Sequence, residues 1–246
     1  DLYTKSDFGV SVSSATAALH ISCLALGLKK DDIVWTSPIT FVASANCAVY
    51  CGAKVDFVDI DRNTYNISIK ALIEKLEVAK AQNKLPKIII PVHLSGQSCD
   101  MQEIHRLSKI YNFKIIEDAS HGIGGKYKGE YIGSCRYSDI TVFSFHPVKI
   151  ITTGEGGMVL TDSEYLDKRA KSLRNLCFTS DRFIHDEIGY NYRMTNMQAA
   201  LGVAQLEQID SIIQKKRWIG QMYNELLKDI DVINLPLNKT DYCENI

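Results

Sequence analysis

The stretch FSFHPVKIITTGEGG, residues 143–157, is the most informative part of this chain. It opens on the end of an apolar, β-branched run that begins at Ile140, which predicts a buried strand. It closes on a glycine-rich turn, and glycine allows the backbone to pack tightly against a ligand or a second chain. Lys149 lies between them, among apolar and small residues. Most lysines are solvated surface groups, but an amine whose pKa is lowered by apolar surroundings is a workable nucleophile.

Asp118 is the second informative residue, because it ends the apolar run KIIED at residues 114–118. A carboxylate buried at the end of a strand is costly unless a cation or a hydrogen-bond donor meets it. Ser144 also falls near a strand end, and in open α/β sheets the ligand site lies outside the carboxyl ends of the strands. We therefore expect these side chains at one site. The alternative for Asp118 is a carboxylate that caps the next loop.

Short β-branched runs alternate with amphipathic stretches from Gly9 to about Leu160, which predicts repeated strand–helix units. The predicted fold class is α/β, with a mostly parallel sheet and helices on both faces. Strands are predicted at 10–12, 33–35, 55–58, 87–92, 114–117, 140–145 and 157–161. Beyond Ser163 the chain becomes helical, first over 164–176 and then in one long stretch from 196 to about 227.

By length alone, 246 residues could form one large domain or two small ones. We predict a large domain over residues 1–230 and the start of a truncated small domain over 231–246, where LPL at 235–237 is typical of an entry to a further unit. The chain starts at Asp1 without an initiator methionine. We therefore expect a fragment that lacks an N-terminal arm and most of the small domain.

The composition favours a globular protein with small-molecule partners. Hydrophobic residues make up 46% of the chain, enough for a full core. The 28 basic and 29 acidic residues give a net charge of −1, so neither nucleic acid nor anionic lipid is attracted at long range. No apolar run approaches the roughly 18 residues of a membrane span, and the N-terminal residues do not begin a signal peptide. These features predict a cytoplasmic protein.

Seven cysteines are scattered without a C-x-x-C pair, which argues against a disulfide framework or a zinc knuckle and predicts reduced thiols. Cys47 and Cys51 are four residues apart on a predicted helix, a spacing that can hold a metal. No Cys or His partner pair accompanies them, so core packing is the favoured interpretation and no metal site is predicted.

Residues 13–18, SSATAA, place hydroxyls and small side chains where a strand turns into a helix. The free amides of such a helix can hold a phosphate at Ser14, Ala15 and Thr16, although an ordinary serine or threonine N-cap is the simpler alternative. Ser144 could supply a second hydroxyl to the same phosphate. A phosphate site, an amine and a buried carboxylate together match the needs of pyridoxal phosphate. We predict this cofactor, with Lys149 as the amine.

Two further side chains are candidates for contacts with the cofactor ring. His121 follows Asp118 by three residues and could hydrogen-bond the phenolic oxygen, although a single histidine is more often structural. Phe41 lies at a strand-to-helix turn, where its face could stack on a planar ring or pack in the core.

The ordered motifs closely resemble those of the sugar-nucleotide aminotransferases of the DegT/DnrJ/EryC1/StrS family, which have the pyridoxal phosphate-dependent transferase fold type I. The resemblance covers almost the whole chain. It is carried by SAT at 14–16, EDASH at 117–121, SFHPVK at 144–149, TTGEGG at 152–157 and GYNYR at 189–193.

The resemblance implies a role for each motif. The implied cofactor contacts are the aldehyde with Lys149, the pyridine nitrogen with Asp118, the ring hydroxyl with His121, the phosphate with Thr16 and Ser144, and the ring face with Phe41. In this family Asn191 would reach the phosphate of the neighbouring subunit. The active unit would then be a homodimer with a shared active site.

The resemblance also implies an activity: transfer of the amino group of glutamate, which leaves as 2-oxoglutarate, to C4 of a nucleotide-linked 4-keto-6-deoxy sugar. Residues 37–46 and the run HPVK resemble enzymes that aminate a UDP-linked 4-keto-6-deoxy-N-acetylhexosamine on the pseudaminic acid route. Residues 174–178 instead resemble GDP-perosamine synthases, which aminate a GDP-linked sugar.

Two other functions remain as alternatives. Sugar dehydratases of the same family resemble this set of motifs with a histidine in the lysine's place, so Lys149 argues against them. A cofactor-binding sensor or regulator with this fold would be expected to carry a DNA-binding segment, and the sequence shows no basic helix-turn-helix.

Overall fold

The computed structural model describes residues 2–181, 183–237 and 240–244. The strands are β1 (Phe8–Val12), β2 (Ile33–Thr36), β3 (Lys54–Phe57), β4 (Ile88–Ile90), β5 (Lys114–Asp118), β6 (Lys126–Tyr127), β7 (Glu130–Tyr131), β8 (Ile140–Ser144), β9 (Gly157–Thr161) and β10 (Cys243–Glu244). The helices are α1 (Ala15–Ala25), α2 (Ala43–Tyr50), α3 (Ile69–Ala81), α4 (Met101–Tyr111), α5 (Glu164–Arg174), α6 (Asn196–Leu206) and α7 (Ile209–Leu227).

A seven-stranded sheet forms the centre of the molecule, in the order β1-β9-β8-β5-β4-β2-β3. The strands from β8 to β3 are parallel, whereas β9 runs antiparallel to both β1 and β8. The predicted α/β fold with a mostly parallel sheet is therefore confirmed. Because β1 and β8 flank β9 in the same direction, the carboxyl ends of β1, β2, β4, β5 and β8 meet at one edge of the sheet.

Helices cover both faces of this sheet. In β4, Ile88 and Ile90 belong to a core with α1, α2 and α5, whereas Ile89 belongs to a core with α3 and α4. This alternation is what a strand buried on both faces requires, since successive side chains point to opposite sides. A third core contains Ile209 and Ile213 of α7.

The prediction of one long helix from 196 to about 227 is wrong, because the structure has two helices there. α6 begins at a capping box, in which Thr195 and Gln198 each accept a hydrogen bond from the other's backbone amide. It ends at Leu206, and α7 starts at Ile209, the residue that enters the third core. No glycine or proline marks the break, so tertiary packing rather than local composition sets it.

The predicted domain boundary at residue 230 stays a prediction. Strand β10 pairs with β6, and β6 pairs with β7, so residues 243 and 244 join a small sheet with 126–131. Residue 1 and, within the predicted small domain, residues 238, 239, 245 and 246 lie outside the described residues. A search of the described helices finds none that is both long enough and apolar enough to cross a membrane.

Candidate active site

An open pocket lies at the edge of the sheet where the parallel strands end. Its walls come from the start of α1, the loop after β2, the ends of β5 and β8, and the turn that carries Lys149. The predicted site residues that line it are Ser14, Ala15, Thr16, Phe41, Asp118, His121, Ser144 and Lys149. Asn191 does not line this pocket; it is exposed and pairs with Asn175 in an isolated bridge.

Asp118 is a buried carboxylate of this pocket, with only 4% of its surface exposed. Ser44 Oγ donates to its Oδ2 at 2.7 Å. Ser120 donates to its Oδ1 from the hydroxyl at 2.6 Å and from the backbone amide at 3.2 Å. The hydrogen bond from the backbone amide of Ser120 is the loop cap that the sequence predicts as the alternative role of Asp118. These donors offset the cost of burying the carboxylate.

Lys149 closes a turn, and its backbone amide donates a hydrogen bond to the carbonyl of His146 at 3.0 Å. Its side chain is partly buried, and this burial lowers the pKa of its amine. The negative charge of Asp118 opposes the shift without cancelling it. A larger fraction of free amine is therefore present at neutral pH than for an ordinary lysine, which favours attack on an aldehyde.

His121 faces the same pocket in a defined protonation state. Burial lowers its pKa, and the positive charge of Lys149 lowers it further, while Asp118 acts in the opposite direction. The neutral form of the ring is therefore favoured. Its Nδ1 accepts the backbone amide hydrogen of Ser95 at 3.2 Å, so we assign the ring proton to Nε2. That leaves one donor for a ligand oxygen.

The first turn of α1 provides the features of an anion site. Ser14 caps the helix, since its hydroxyl accepts the amide hydrogen of Ala17 at 3.1 Å. The amides of Ala15 and Thr16 lie in the first turn, where the helix itself supplies no acceptor. The N-cap of Ser14 and a phosphate site at this turn are compatible, because the cap uses the amide of Ala17 only.

Phe41 is not a core residue. Its side chain is 71% exposed at the pocket, so the core-packing alternative for this position is wrong. An exposed aromatic face beside a pocket suits a planar ligand ring.

Three hydroxyl residues near Asp118 were missed in the sequence. Thr40 and Ser120 line the pocket, and Ser44 donates to the carboxylate from α2. Ser120 could have been found, because a hydroxyl two residues after an aspartate commonly bonds it locally. Ser44 gives no such signal, since its contact with Asp118 joins distant parts of the chain.

The described residues contain no group of three or more His, Cys, Asp or Glu side chains that could hold a metal ion. Cys47 is buried in the first core, where its thiol bonds the carbonyl of Ser44 at 3.4 Å. Cys51 follows α2 and is partly buried against the same core.

The fold and the pocket together define a fold-type I pyridoxal phosphate-binding protein. The chain belongs to the DegT/DnrJ/EryC1/StrS aminotransferase family, whose model matches residues 1–243.

Two curated relatives are similar over most of the chain. GDP-perosamine synthase of Escherichia coli O157:H7 is 42% identical over 224 residues, which are 91% of this chain and 59% of that protein. The UDP-4-amino-4,6-dideoxy-N-acetyl-beta-L-altrosamine transaminase of Campylobacter jejuni strain 81-176 is 42% identical over 217 residues, 87% of this chain and 56% of that protein. The chain therefore spans less than two thirds of the length of these relatives.

Solved structures share the fold. A DegT DnrJ EryC1 StrS aminotransferase from Brucella abortus has a TM-score of 0.92 and 27% identity, covering 99% of this chain and 65% of that one. The PLP-form of a putative sugar aminotransferase, Spr1654 of Streptococcus pneumoniae, has a TM-score of 0.84 and 27% identity, covering 99% and 66%.

The cofactor is pyridoxal phosphate, as the sequence predicts. The family and its solved members in pyridoxal and pyridoxamine phosphate forms indicate it. The residues of this pocket fit it, because they provide an amine of lowered pKa, a buried carboxylate, the free amides of a helix start and an exposed aromatic ring.

Proposed function

We propose that the protein is an aminotransferase that moves the amino group of glutamate to C4 of a nucleotide-linked 4-keto-6-deoxy sugar and releases 2-oxoglutarate. The observation that carries this proposal is the composition of the pocket: Lys149, Asp118 and the first turn of α1 line a single cavity. Membership of the aminotransferase family supports the same reaction class.

Lys149 has two roles in this proposal. It would hold the cofactor at the aldehyde, and as a free amine it would act as a base during turnover. The bound cofactor supplies an electron sink that acidifies the adjacent C–H bond of the substrate. Lys149 takes the proton from Cα of glutamate, and in the second half of the reaction it delivers a proton to C4 of the sugar. The lowered pKa of its amine suits the first of these steps.

The remaining side chains of the pocket bind and orient the cofactor. The proposed contacts are Asp118 with the ring nitrogen, Nε2 of His121 with the phenolic oxygen, and Phe41 with the ring face. The phosphate would be held by the hydroxyls of Ser14, Thr16 and Ser144 and by the free amides of Ala15 and Thr16. Each of these residues lines the pocket, which is the condition for such a contact. Asp118 carries the negative charge that keeps the ring nitrogen protonated.

We propose a UDP-linked 4-keto-6-deoxy-N-acetylhexosamine, the amino acceptor of the pseudaminic acid route, as the sugar substrate. Similarity to the Campylobacter jejuni transaminase supports it. A GDP-linked 4-keto-6-deoxymannose is the second candidate, because the GDP-perosamine synthase of Escherichia coli is 42% identical as well.

We further propose a homodimer with a shared active site. Asn191 is exposed and lies outside the pocket of its own chain, as a residue that serves a neighbouring subunit would. In α6 no residue is buried, although Met197, Leu201 and Val203 are apolar. Exposed large apolar side chains that are grouped on one helix are typical of an interface. A cytoplasmic location is also proposed, since none of the seven cysteines forms a disulfide.

The spectrum of the cofactor tests the reaction and the substrate separately. Glutamate added to the intact protein with its cofactor should convert the visible absorbance to that of the amine form, whereas a cofactor-binding sensor would show no change. The amine form is then mixed with UDP-linked and GDP-linked 4-keto-6-deoxy sugars. The sugar that restores the original spectrum is the substrate. Conversion by glutamate without restoration by either sugar would keep the aminotransferase and reject both sugars.

Lys149→Ala tests the central residue. Turnover and the visible absorbance of the covalently held cofactor should both disappear, because no other amine of the described residues lines the pocket. Lys109→Ala, which removes an exposed lysine on α4, is the matched control and should leave both unchanged. Turnover by the Lys149 variant would refute the proposed role.

A further inference from the structure

A chain of hydroxyl groups leads from the pocket wall to Asp118. Thr40 Oγ1 lies 2.8 Å from Ser44 Oγ, which in turn lies 2.7 Å from Asp118 Oδ2. Thr40 lines the pocket, whereas Ser44 in the first turn of α2 is completely buried, with 0% exposed. The hydroxyl of Ser44 has no access to water as an alternative partner, so its hydrogen bond to the carboxylate is a fixed part of the structure.

The direction of these hydrogen bonds follows from a count of protons. An ionised carboxylate only accepts, so the single proton of Ser44 is given to Asp118 Oδ2. Ser44 can then only accept from Thr40, which makes Thr40 the donor of the first bond. The two O–H groups point the same way, and aligned bonds of this kind polarise and strengthen one another.

We infer that Ser44 is a positioning residue that keeps the proton between Asp118 and the cofactor on the ring nitrogen. The inference rests on the proposed function, in which Asp118 faces that nitrogen. A proton shared by a carboxylate and a pyridine lies on the pyridine only if the carboxylate is stable as an anion. Each hydroxyl that donates to the carboxylate stabilises this anion. Without Ser44, more of the proton would move to Asp118, and the ring would lose the charge that makes it an electron sink.

Ser44 also fixes the orientation of the carboxylate. It holds Oδ2 from α2, while Ser120 holds Oδ1 from the loop after β5, so the two oxygens are tied to different elements. The Thr40 bond extends this tie to the loop that carries Phe41. These two hydrogen bonds thereby fix the position of Asp118 relative to the loop that carries Phe41.

Two variants and one matched control test the inference in the intact protein. Ser44→Ala removes the hydroxyl at the carboxylate, and Thr40→Val removes only the hydroxyl behind it in a side chain of similar shape. Ser22→Ala is the control, because Ser22 is equally buried in α1 and, among the described residues, its hydroxyl bonds only the carbonyl of Ala18. The readouts are the dissociation constant of the cofactor and the ¹⁵N resonance of cofactor labelled at the ring nitrogen.

Ser44→Ala should weaken cofactor binding on the order of tenfold, as expected for a lost hydrogen bond to a charged group. In this variant the ¹⁵N resonance of the bound cofactor should move toward that of an unprotonated ring nitrogen. The value of kcat should fall by a larger factor than KM changes. Thr40→Val should shift both readouts in the same direction by less, and Ser22→Ala should match the wild type. A merely structural role for Ser44 would not move the ¹⁵N resonance.

Asp118→Asn separates this inference from the proposed function. If it weakens cofactor binding while Ser44→Ala and Thr40→Val leave the ¹⁵N resonance at its wild-type position, the role of Ser44 is refuted and Asp118 keeps its role. If Asp118→Asn itself leaves binding and resonance unchanged, the proposed contact between Asp118 and the ring nitrogen fails, and the inference about Ser44 fails with it.

Discussion

Lys149 is subject to two opposing influences on its pKa. Burial lowers the pKa because the ammonium form loses hydration, and Asp118 raises it by attraction; burial is the larger. In cofactor-free protein whose lysines carry ¹³C-methyl labels, NMR titration should therefore give Lys149 a pKa below the ordinary value of about 10.4. The free amine forms above its pKa, so covalent attachment of the cofactor should accelerate as pH rises through that value.

Asp118→Asn tests whether the negative charge of Asp118 raises the pKa of Lys149. With its negative charge gone, nothing at that position stabilises the ammonium, and the pKa of Lys149 should fall further. A rise in the pKa of Lys149 in this variant would show that Asp118 does not stabilise the ammonium form.

At the residue scale, a site residue can be predicted from the sequence when its role depends on residues close to it along the chain. Asp118 and Lys149 could be predicted because each terminates or follows an apolar run, and strands of one parallel sheet end at a common edge. Ser44 could not, because its partner is 74 positions away and most residues of the helix around it are small and show little periodicity. Contacts of this range depend on how two elements pack rather than on either segment alone.

At the element scale, the contact between β9 and α1 depends on a glycine. A Cβ built on Gly157 would lie 2.6 Å from the carbonyl carbon of Ser14 and 2.7 Å from the amide nitrogen of Ala15. Both are backbone atoms of the helix start that forms the proposed phosphate site, so they cannot move aside as a side chain would. The closing glycine of the TTGEGG motif therefore allows the strand and the anion site to come together.

Gly157→Ala should force this helix start away from the sheet. We expect a loss of about 1–3 kcal/mol in the free energy of unfolding, as for other overpacked sites, and weaker binding of the cofactor phosphate. Gly220→Ala is the control, because a Cβ there meets no atom within 4 Å, and in a helix it should be neutral or stabilise by up to about 1 kcal/mol. Urea unfolding and cofactor titration of both variants measure this, and equal stabilities would refute the clash.

The succession of strands and helices was predictable, whereas their arrangement was only partly so. The run of three buried isoleucines in β4 marks a strand covered on both faces, which is a local signal. The antiparallel insertion of β9 between β1 and β8 depends on pairing between residues far apart in sequence, such as Val10 with Val159. The break between α6 and α7 is likewise set by the burial of Ile209.

At the scale of the whole molecule, α6 and α7 carry several large apolar side chains that are exposed. Met197 is 83% exposed, Trp218 56% and Leu226 71%. These two helices follow directly on the segment that contains Asn191. In the homodimer proposed above, the apolar surface would be covered by a second copy, and Asn191 would be carried toward the pocket of that copy.

Mixing two inactive variants tests whether the site is shared. Lys149→Ala and Asn191→Ala proteins should each be impaired alone. In a mixed dimer, one pocket combines the intact Lys149 of one subunit with the intact Asn191 of the other, and the second pocket has neither. Random exchange of subunits should then restore about a quarter of wild-type activity, because half of the dimers are mixed and one of their two sites is intact.

The alternative arrangement gives a different result from the same mixture. If Asn191 serves the pocket of its own chain, every pocket in the mixed dimers lacks one of the two residues, and exchange restores no activity. Mixing Lys149→Ala with Asp118→Asn provides the reference, because both residues line one pocket of one chain and no combination of subunits can unite them. Recovery in the first mixture but not in the second would require the neighbouring subunit to supply Asn191.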